Sequence, residues 1–220
     1  MGKRTILWVI AAGLLGAMML CSCGFGIAAL TYAPRLMKRV GVAERFSTEL
    51  ELQKRGSVVI ANPSGDVVLR TGDVSGAQVE AIKIAHSITE ASARRALARI
   101  DIRANSDQGQ ASINVLRPRW PWAQNTRVNL VVTAPRDTDL HVLSQDGNIR
   151  VLLSRDASFV VDAQTEKGRV QCSLALSAQQ SGFTGLGEKG HWLRGSAGSR
   201  ERARLLLRAQ VGNITIEALD

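Results

Sequence analysis

Leu140-His141-Val142-Leu143-Ser144-Gln145-Asp146-Gly147-Asn148-Ile149-Arg150-Val151 alternates apolar and polar residues on both sides of one glycine. Leu140 and Val142 stand seven and five positions before Gly147, and Ile149 and Val151 two and four after it. Such alternation describes two short strands, each burying one face, joined at a tight corner. The same pattern surrounds Gly65, with Val58, Ile60, Val67 and Leu69, and Gly168, with Val161, Ala163, Val170 and Cys172. A fourth copy places Leu205, Leu207, Ile214 and Ile216 about Gly212. Gly147 and Gly168 are 21 residues apart, and a degenerate copy at Gly190 divides the remaining 44 to Gly212 into 22 and 22. A fixed period of this size predicts an all-β fold: a β-solenoid with coils of 21–22 residues and equivalent side chains stacked in rows. On that expectation Val151, Cys172 and Ile216 share one interior row, and Cys172 is a buried small hydrophobe.

The intervening segments read differently. Residues 41–55 form a charged linker, with Glu44, Glu49 and Glu51 among Arg45, Lys54 and Arg55. Asn62-Pro63-Ser64-Gly65-Asp66 contains only turn formers. Between Ser87 and Ile100 the apolar period lengthens toward four, which predicts one short inserted helix capped by Thr89 or Ser87. Ile102 to Val115 about Gly109 suits a hairpin, because its distances to Gly65 and Gly147 break the period. Ser181 to Glu201 is rich in glycine and charge, so the coil there is expected to bulge or loosen.

The chain has 220 residues with 28 lysines and arginines against 19 acids. Five of those cations and none of the acids lie in the first 40 residues, leaving 23 against 19 in the rest. A balance of +4 is an ordinary solvated surface, which argues against nucleic acid as a partner. The early cations flank Thr5 to Ala33, a run without charge that exceeds the roughly 20 apolar residues needed to span a bilayer. Residues 1–40 therefore form a membrane anchor in contact with the bilayer through residues 5–33. Two forms compete: an uncleaved transmembrane helix, which the apolar run from Gly24 to Ala33 favours, or a lipoprotein signal. Leu20-Cys21-Ser22-Cys23 resembles the bacterial lipobox, with Cys23 as the acylated residue. Arg35, Lys38 and Arg39 beyond the apolar run favour a cytoplasmic C-terminus by the positive-inside rule.

Residues 56–220 are similar to the bacterial putative-adhesin family of membrane-anchored β-solenoid domains, related to autotransporter adhesin-like head domains. The resemblance rests on Asn62-Pro63-Ser64-Gly65-Asp66-Val67, on Val128 to Pro135 followed by Leu140 to Val151, and on Val211-Gly212-Asn213-Ile214-Thr215-Ile216. It implies a right-handed, single-stranded β-solenoid on the outer side of the cell membrane, in a family without established catalytic residues. The chain departs from the pattern at Gly190-His191-Trp192, where the apolar alternation fails.

Several motifs suggest chemistry and lose it in context. Gly185-Leu186-Gly187-Glu188-Lys189-Gly190 matches the dinucleotide fingerprint in letters, but no helix of useful length fits before Gly195. Asp66, Asp73, Asp146 and Asp156 stand at corners, where acids are ordinarily turn formers. His86, His141 and His191 occupy different repeat positions. No catalytic cluster, metal site or cofactor is expected, and the chain reads as non-enzymatic. Arg117, Arg119, Trp120 and Trp122 form a stiff basic aromatic loop that either docks on headgroups, glycan or protein, or folds back over the domain end. The expected function is display of a binding module at the cell envelope, with an unknown protein or glycan as ligand. The alternatives are a polymerising scaffold, a homo-oligomer joined through solenoid ends, and a polysaccharide-active enzyme.

Overall fold

The computed structural model describes residues 40–53, 55–117, 125–184, 189–198 and 203–219. The chain divides into units 1–40 and 41–220, and the second contains the fold set out below. Its strands are β1 (Val40–Glu51), β2 (Ser57–Asn62), β3 (Val67–Gly72), β4 (Gly76–Ser87), β5 (Asp101–Asp107), β6 (Gln110–Leu116), β7 (Thr126–Pro135), β8 (Asp139–Asp146), β9 (Ile149–Leu153), β10 (Phe159–Lys167), β11 (Val170–Cys172), β12 (Ser177–Thr184), β13 (Gly190–Ala197), β14 (Ala203–Val211) and β15 (Ile214–Ala218). One helix, α1 (Glu90–Leu97), separates β4 from β5. The strands form a seven-stranded sheet in the order β1-β4-β7-β3-β9-β15-β11 and an eight-stranded sheet in the order β12-β13-β10-β14-β8-β2-β6-β5.

The glycine pattern places its four corners as expected, one strand of each pair going to each sheet. Gly65 joins β2 to β3, Gly147 joins β8 to β9, Gly168 joins β10 to β11, and Gly212 joins β14 to β15. All four have positive φ, between 116° and 152°. At Gly147 a Cβ would lie 2.1 Å from the Gly65 carbonyl oxygen, and at Gly212 it would lie 2.1 Å from that of Gly147. The corners therefore stack too closely for any side chain, and only glycine meets both demands.

The solenoid expectation is overturned by the order of these units. A solenoid stacks coils in chain order, but β14 pairs in parallel with both β8 and β10, and β15 with both β9 and β11. The Gly212 unit is inserted between the Gly147 and Gly168 units. The degenerate copy at Gly190 forms no corner: β13 runs antiparallel to both β10 and β12. Antiparallel pairs β4–β7 and β5–β6 add to the parallel ones, so both sheets are mixed. Alternation records which face of a strand is buried, and that is the same whichever neighbour the strand pairs with. The 22-residue spacing about Gly190 came from a hairpin of similar length.

Both sheets turn their apolar faces to one core. Val58 and Ile60 face Leu140 and Val142 in register, and these continue to Leu205 and Leu207, then Val161 and Ala163. In the other sheet the expected row forms as Cys172–Ile216–Val151–Leu69, in a different order from the chain. Ile216 and Val151 are fully buried, whereas Cys172 is only partly covered because β11 is a three-residue edge strand. Burial pushes its thiol pKa up, against an opposing hydrogen bond to the Leu174 carbonyl.

Thr89 caps α1, its Oγ1 accepting from the Ser92 amide at 3.2 Å. Ala93 and Leu97 are buried, but Ile88 precedes the helix and is 64% exposed, so the helix is shorter than the period suggested. The β5–β6 hairpin turns at Gln108-Gly109, both with positive φ, as the irregular spacing predicted. The stretch read as a linker contains β1, an edge strand beside β4. Among the described residues no helix is long and apolar enough to cross a membrane, and residues 5–33 lie outside them.

Candidate binding surface

A polar ladder runs along the stack, built from Asn129 of β7 and the residues that follow Gly65, Gly147 and Gly212. Asn129 Oδ1 accepts from the Asp66 amide at 3.1 Å, and Asp66 Oδ1 from the Asn148 amide at 2.8 Å. Asn148 Oδ1 then accepts from the Asn213 amide at 3.0 Å, and Asn213 Oδ1 from the Arg169 amide at 2.9 Å. Each rung satisfies a backbone donor that a tight corner would otherwise leave open. Three residues before the glycines lies a second row, Asn62–Ser144–Ala209–Thr165, polar at every position but Ala209. Asn62 Nδ2 donates to the Gly65 and Val128 carbonyls at 3.0 and 2.9 Å, and Thr165 Oγ1 to the Gly212 carbonyl at 2.8 Å. These contacts hold the corners rigid, and two recesses lie beside them.

The first recess is a groove of about 550 Å³ on the outer face of the eight-stranded sheet. Strand register sets Leu143, Arg208, Gln164 and Trp192 in one row across β8, β14, β10 and β13. Gln145, Gln210 and Glu166 line the groove toward the corners. Leu143 is 52% exposed. Arg208 donates to Asp162 Oδ1 at 3.0 Å, and Arg194 Nε stands 3.3 Å from the other carboxylate oxygen. Burial raises the Asp162 carboxyl, but the two guanidinium groups outweigh it and hold the pKa below the usual carboxylate range. Arg194 also lies 5.8 Å from the Trp192 ring centroid. The ring covers Gly182, where a Cβ would come within 2.8 Å of the indole nitrogen.

The second recess, of about 940 Å³, adjoins the last corner of the stack, at Gly168. Arg169, Lys189, His191 and Phe183 line it, with Asn213 and Thr215 beside them. His191 Nδ1 accepts from the Val170 amide at 3.2 Å, and its ring meets Phe183 edge-on at 5.8 Å.

The candidates drawn from the sequence fall in different places. Arg117 Nη1 donates to the Thr126 carbonyl at 3.4 Å, tying the start of its loop to β7. Arg119, Trp120, Trp122 and Cys23 lie outside the described residues, as do residues 185–188 of the dinucleotide-like motif. Of the corner acids, Asp66 is a ladder rung, while Arg136 reaches Asp73 at 3.0 Å and Asp156 at 3.9 Å. Among the described residues no three His, Cys, Asp or Glu side chains are grouped to hold a metal ion. Reading the sequence missed both recesses, since each is assembled from strands distant in the chain. The ladder did leave a signal: Asp66, Asn148 and Asn213 each follow a corner glycine.

No family model matches the chain, and no curated protein matches it in sequence. Among solved structures, a putative cell adhesion protein from Clostridium sporogenes is similar over 81% of this chain and 100% of its own, at 12% identity and a TM-score of 0.38. A putative adhesin from Parabacteroides merdae is similar over 59% of this chain and 46% of its own, at 8% identity and a TM-score of 0.37. A putative adhesin from Bacteroides fragilis covers 80% and 97%, at 8% identity and a TM-score of 0.29. Likeness this distant fixes neither family nor ligand for this chain.

Proposed function

We propose that the chain is a non-enzymatic envelope protein, anchored through residues 5–33, whose β domain binds a polar glycan chain along the outer groove of the eight-stranded sheet. The observation that carries this reading is the set of carboxamides on adjacent strands, Gln145, Gln210 and Gln164, in a groove that Trp192 adjoins. Strands about 4.8 Å apart space the amides for successive hydroxyl groups, and each amide both donates and accepts. An indole face beside them suits the apolar side of a sugar ring. Arg208 is fixed by Asp162, so it enters the groove as an oriented donor. The loop containing Arg117, Arg119, Trp120 and Trp122 is a second contact surface in this reading.

A glycan array probed with the full-length chain tests it. Gln210→Ala and Gln164→Ala should each weaken the strongest glycan signal while leaving the melting temperature within about 2 °C, since surface substitutions cost little. Binding unchanged in both variants refutes the groove, and recovery of the chain in the soluble cell fraction refutes the anchor.

A further inference from the structure

The polar ladder changes chemistry at its last rung. Asn129, Asp66, Asn148 and Asn213 each offer a side-chain oxygen to the next corner, but the residue that follows Gly168 is Arg169. Its amide is held by Asn213, so the backbone is fixed while the slot that holds an acceptor elsewhere holds a guanidinium. Lys189 lines the same recess, and its carbonyl accepts from the Gly168 amide at 3.0 Å. Neither Arg169 nor Lys189 forms an ion pair with a described residue, whereas Arg136, Arg150, Arg194 and Arg208 all do. His191 Nδ1 accepts from the Val170 amide, which leaves the Nε2–H side of the ring as a third donor. Phe183 is 60% exposed beside it. Among the described residues, those lining the recess include no acid.

We infer that this recess at the Gly168 corner is a second binding site, for a saccharide bearing carboxylate or sulfate groups. Arg169 and Lys189 take the anionic group through charge-assisted hydrogen bonds, and Phe183 supplies the face for the sugar ring. A volume of about 940 Å³ accommodates a short oligosaccharide rather than a lone ion. No described residue lines both this recess and the groove, so the two sites are separable by mutation.

The experiment is titration of the full-length chain with fluorescently labelled trigalacturonate, a heparin-derived tetrasaccharide, neutral maltotriose and inorganic phosphate. At least one acidic oligosaccharide should bind, more weakly as salt rises, and maltotriose should not bind at this site. Arg169→Gln and Lys189→Gln should each lower that affinity about tenfold, the effect of one charge-assisted hydrogen bond. Phe183→Ala should weaken the oligosaccharide and leave any phosphate binding unchanged. Failure of both acidic oligosaccharides to bind, or affinity indifferent to Arg169→Gln and Lys189→Gln, overturns the inference. Oligosaccharide binding that ignores Phe183→Ala and is matched by phosphate also overturns it, since the recess would then hold a bare anion only.

Discussion

Replacing Gly147 by alanine tests the stacked corners most directly, because the same substitution at Gly72 is a control within the same fold. At Gly147 the backbone has φ of 149°, and the added Cβ would lie 2.1 Å from the Gly65 carbonyl oxygen and 2.5 Å from its carbon. Backbone strain at such a φ costs about 1–3 kcal/mol in a residue with a side chain. The clash is with backbone, so relief requires the two corners to part. That stretches Gly65 N–H to the Asp146 carbonyl, 2.8 Å, and Asn148 N–H to Asp66 Oδ1, 2.8 Å, each a loss of about 1 kcal/mol. The expected destabilisation is roughly 3–5 kcal/mol, a large part of a typical total of about 5–15 kcal/mol. For a domain of this size it lowers the melting temperature by roughly 6–20 °C. At Gly72 the nearest atom to the added Cβ is Thr133 Cγ2 at 3.6 Å, an ordinary contact, and φ is not in the positive region. Gly72→Ala should therefore stay within about 0.5 kcal/mol of the parent. Urea and thermal unfolding followed by circular dichroism measure both. Equal stability of the two variants would show that the corners do not stack at the distances described.

Two further substitutions probe the core row and the groove. Val151→Asp places a carboxylate at a fully buried position and should abolish folding, because an unpaired buried charge costs several kcal/mol, whereas Cys172→Asp on the partly covered edge strand should leave a weakened but folded chain; equal yields of soluble folded protein would mean the row is misplaced. Asp162 has a depressed folded pKa, so its contribution to stability is present above the unfolded carboxylate value and is lost as pH falls through the folded one. The side chain is 34% exposed, which limits the effect to less than about 1 kcal/mol. Asp162→Asn should accordingly melt below the parent at pH 7, with the gap narrowing as the pH falls below the usual carboxylate range, and a gap independent of pH would refute the ion-pair assignment.

The corner units were legible in the sequence because their signal is local. Val58, Ile60, Val67 and Leu69 point inward for the same reason that Gly65 must be glycine: each responds to its own strand and to one close neighbour. The order of stacking is a different kind of information. Leu205 and Leu207 would be equally buried beyond β10 or between β8 and β10, and alternation is identical in the two cases. What selects the inserted position is long-range: β14 offers two pairing edges, and β8 and β10 each had one free. Strands β13 and β12 lie on the far side of β10, in the place a sequential coil would have filled. Gly182 and Gly195, which in the sequence read as loosened structure, are instead places where Trp192 and Leu176 lie against the backbone.

The same distinction explains the two recesses. Gln145, Gln164 and Gln210 are unremarkable polar positions on three strands, and only the pairing of β14 with both β8 and β10 brings them into one groove. Arg169 is more telling, since its place in the repeat could be read from the sequence while its surroundings could not. It follows its corner glycine as Asp66, Asn148 and Asn213 follow theirs, so a cation there breaks a series of acceptors. In a sequential stack Arg169 would lie between the Gly147 and Gly212 corners, and the ladder would be interrupted in its middle. Because the Gly212 unit is inserted, the acceptors run unbroken from Asn129 to Asn213, and the cation stands at the end of the stack. There the missing acceptor leaves no later corner amide of the series unpaired, and the guanidinium lines an open recess instead of a packed interior. One change in stacking order thus accounts both for the intact ladder and for the place where an anionic ligand can be held.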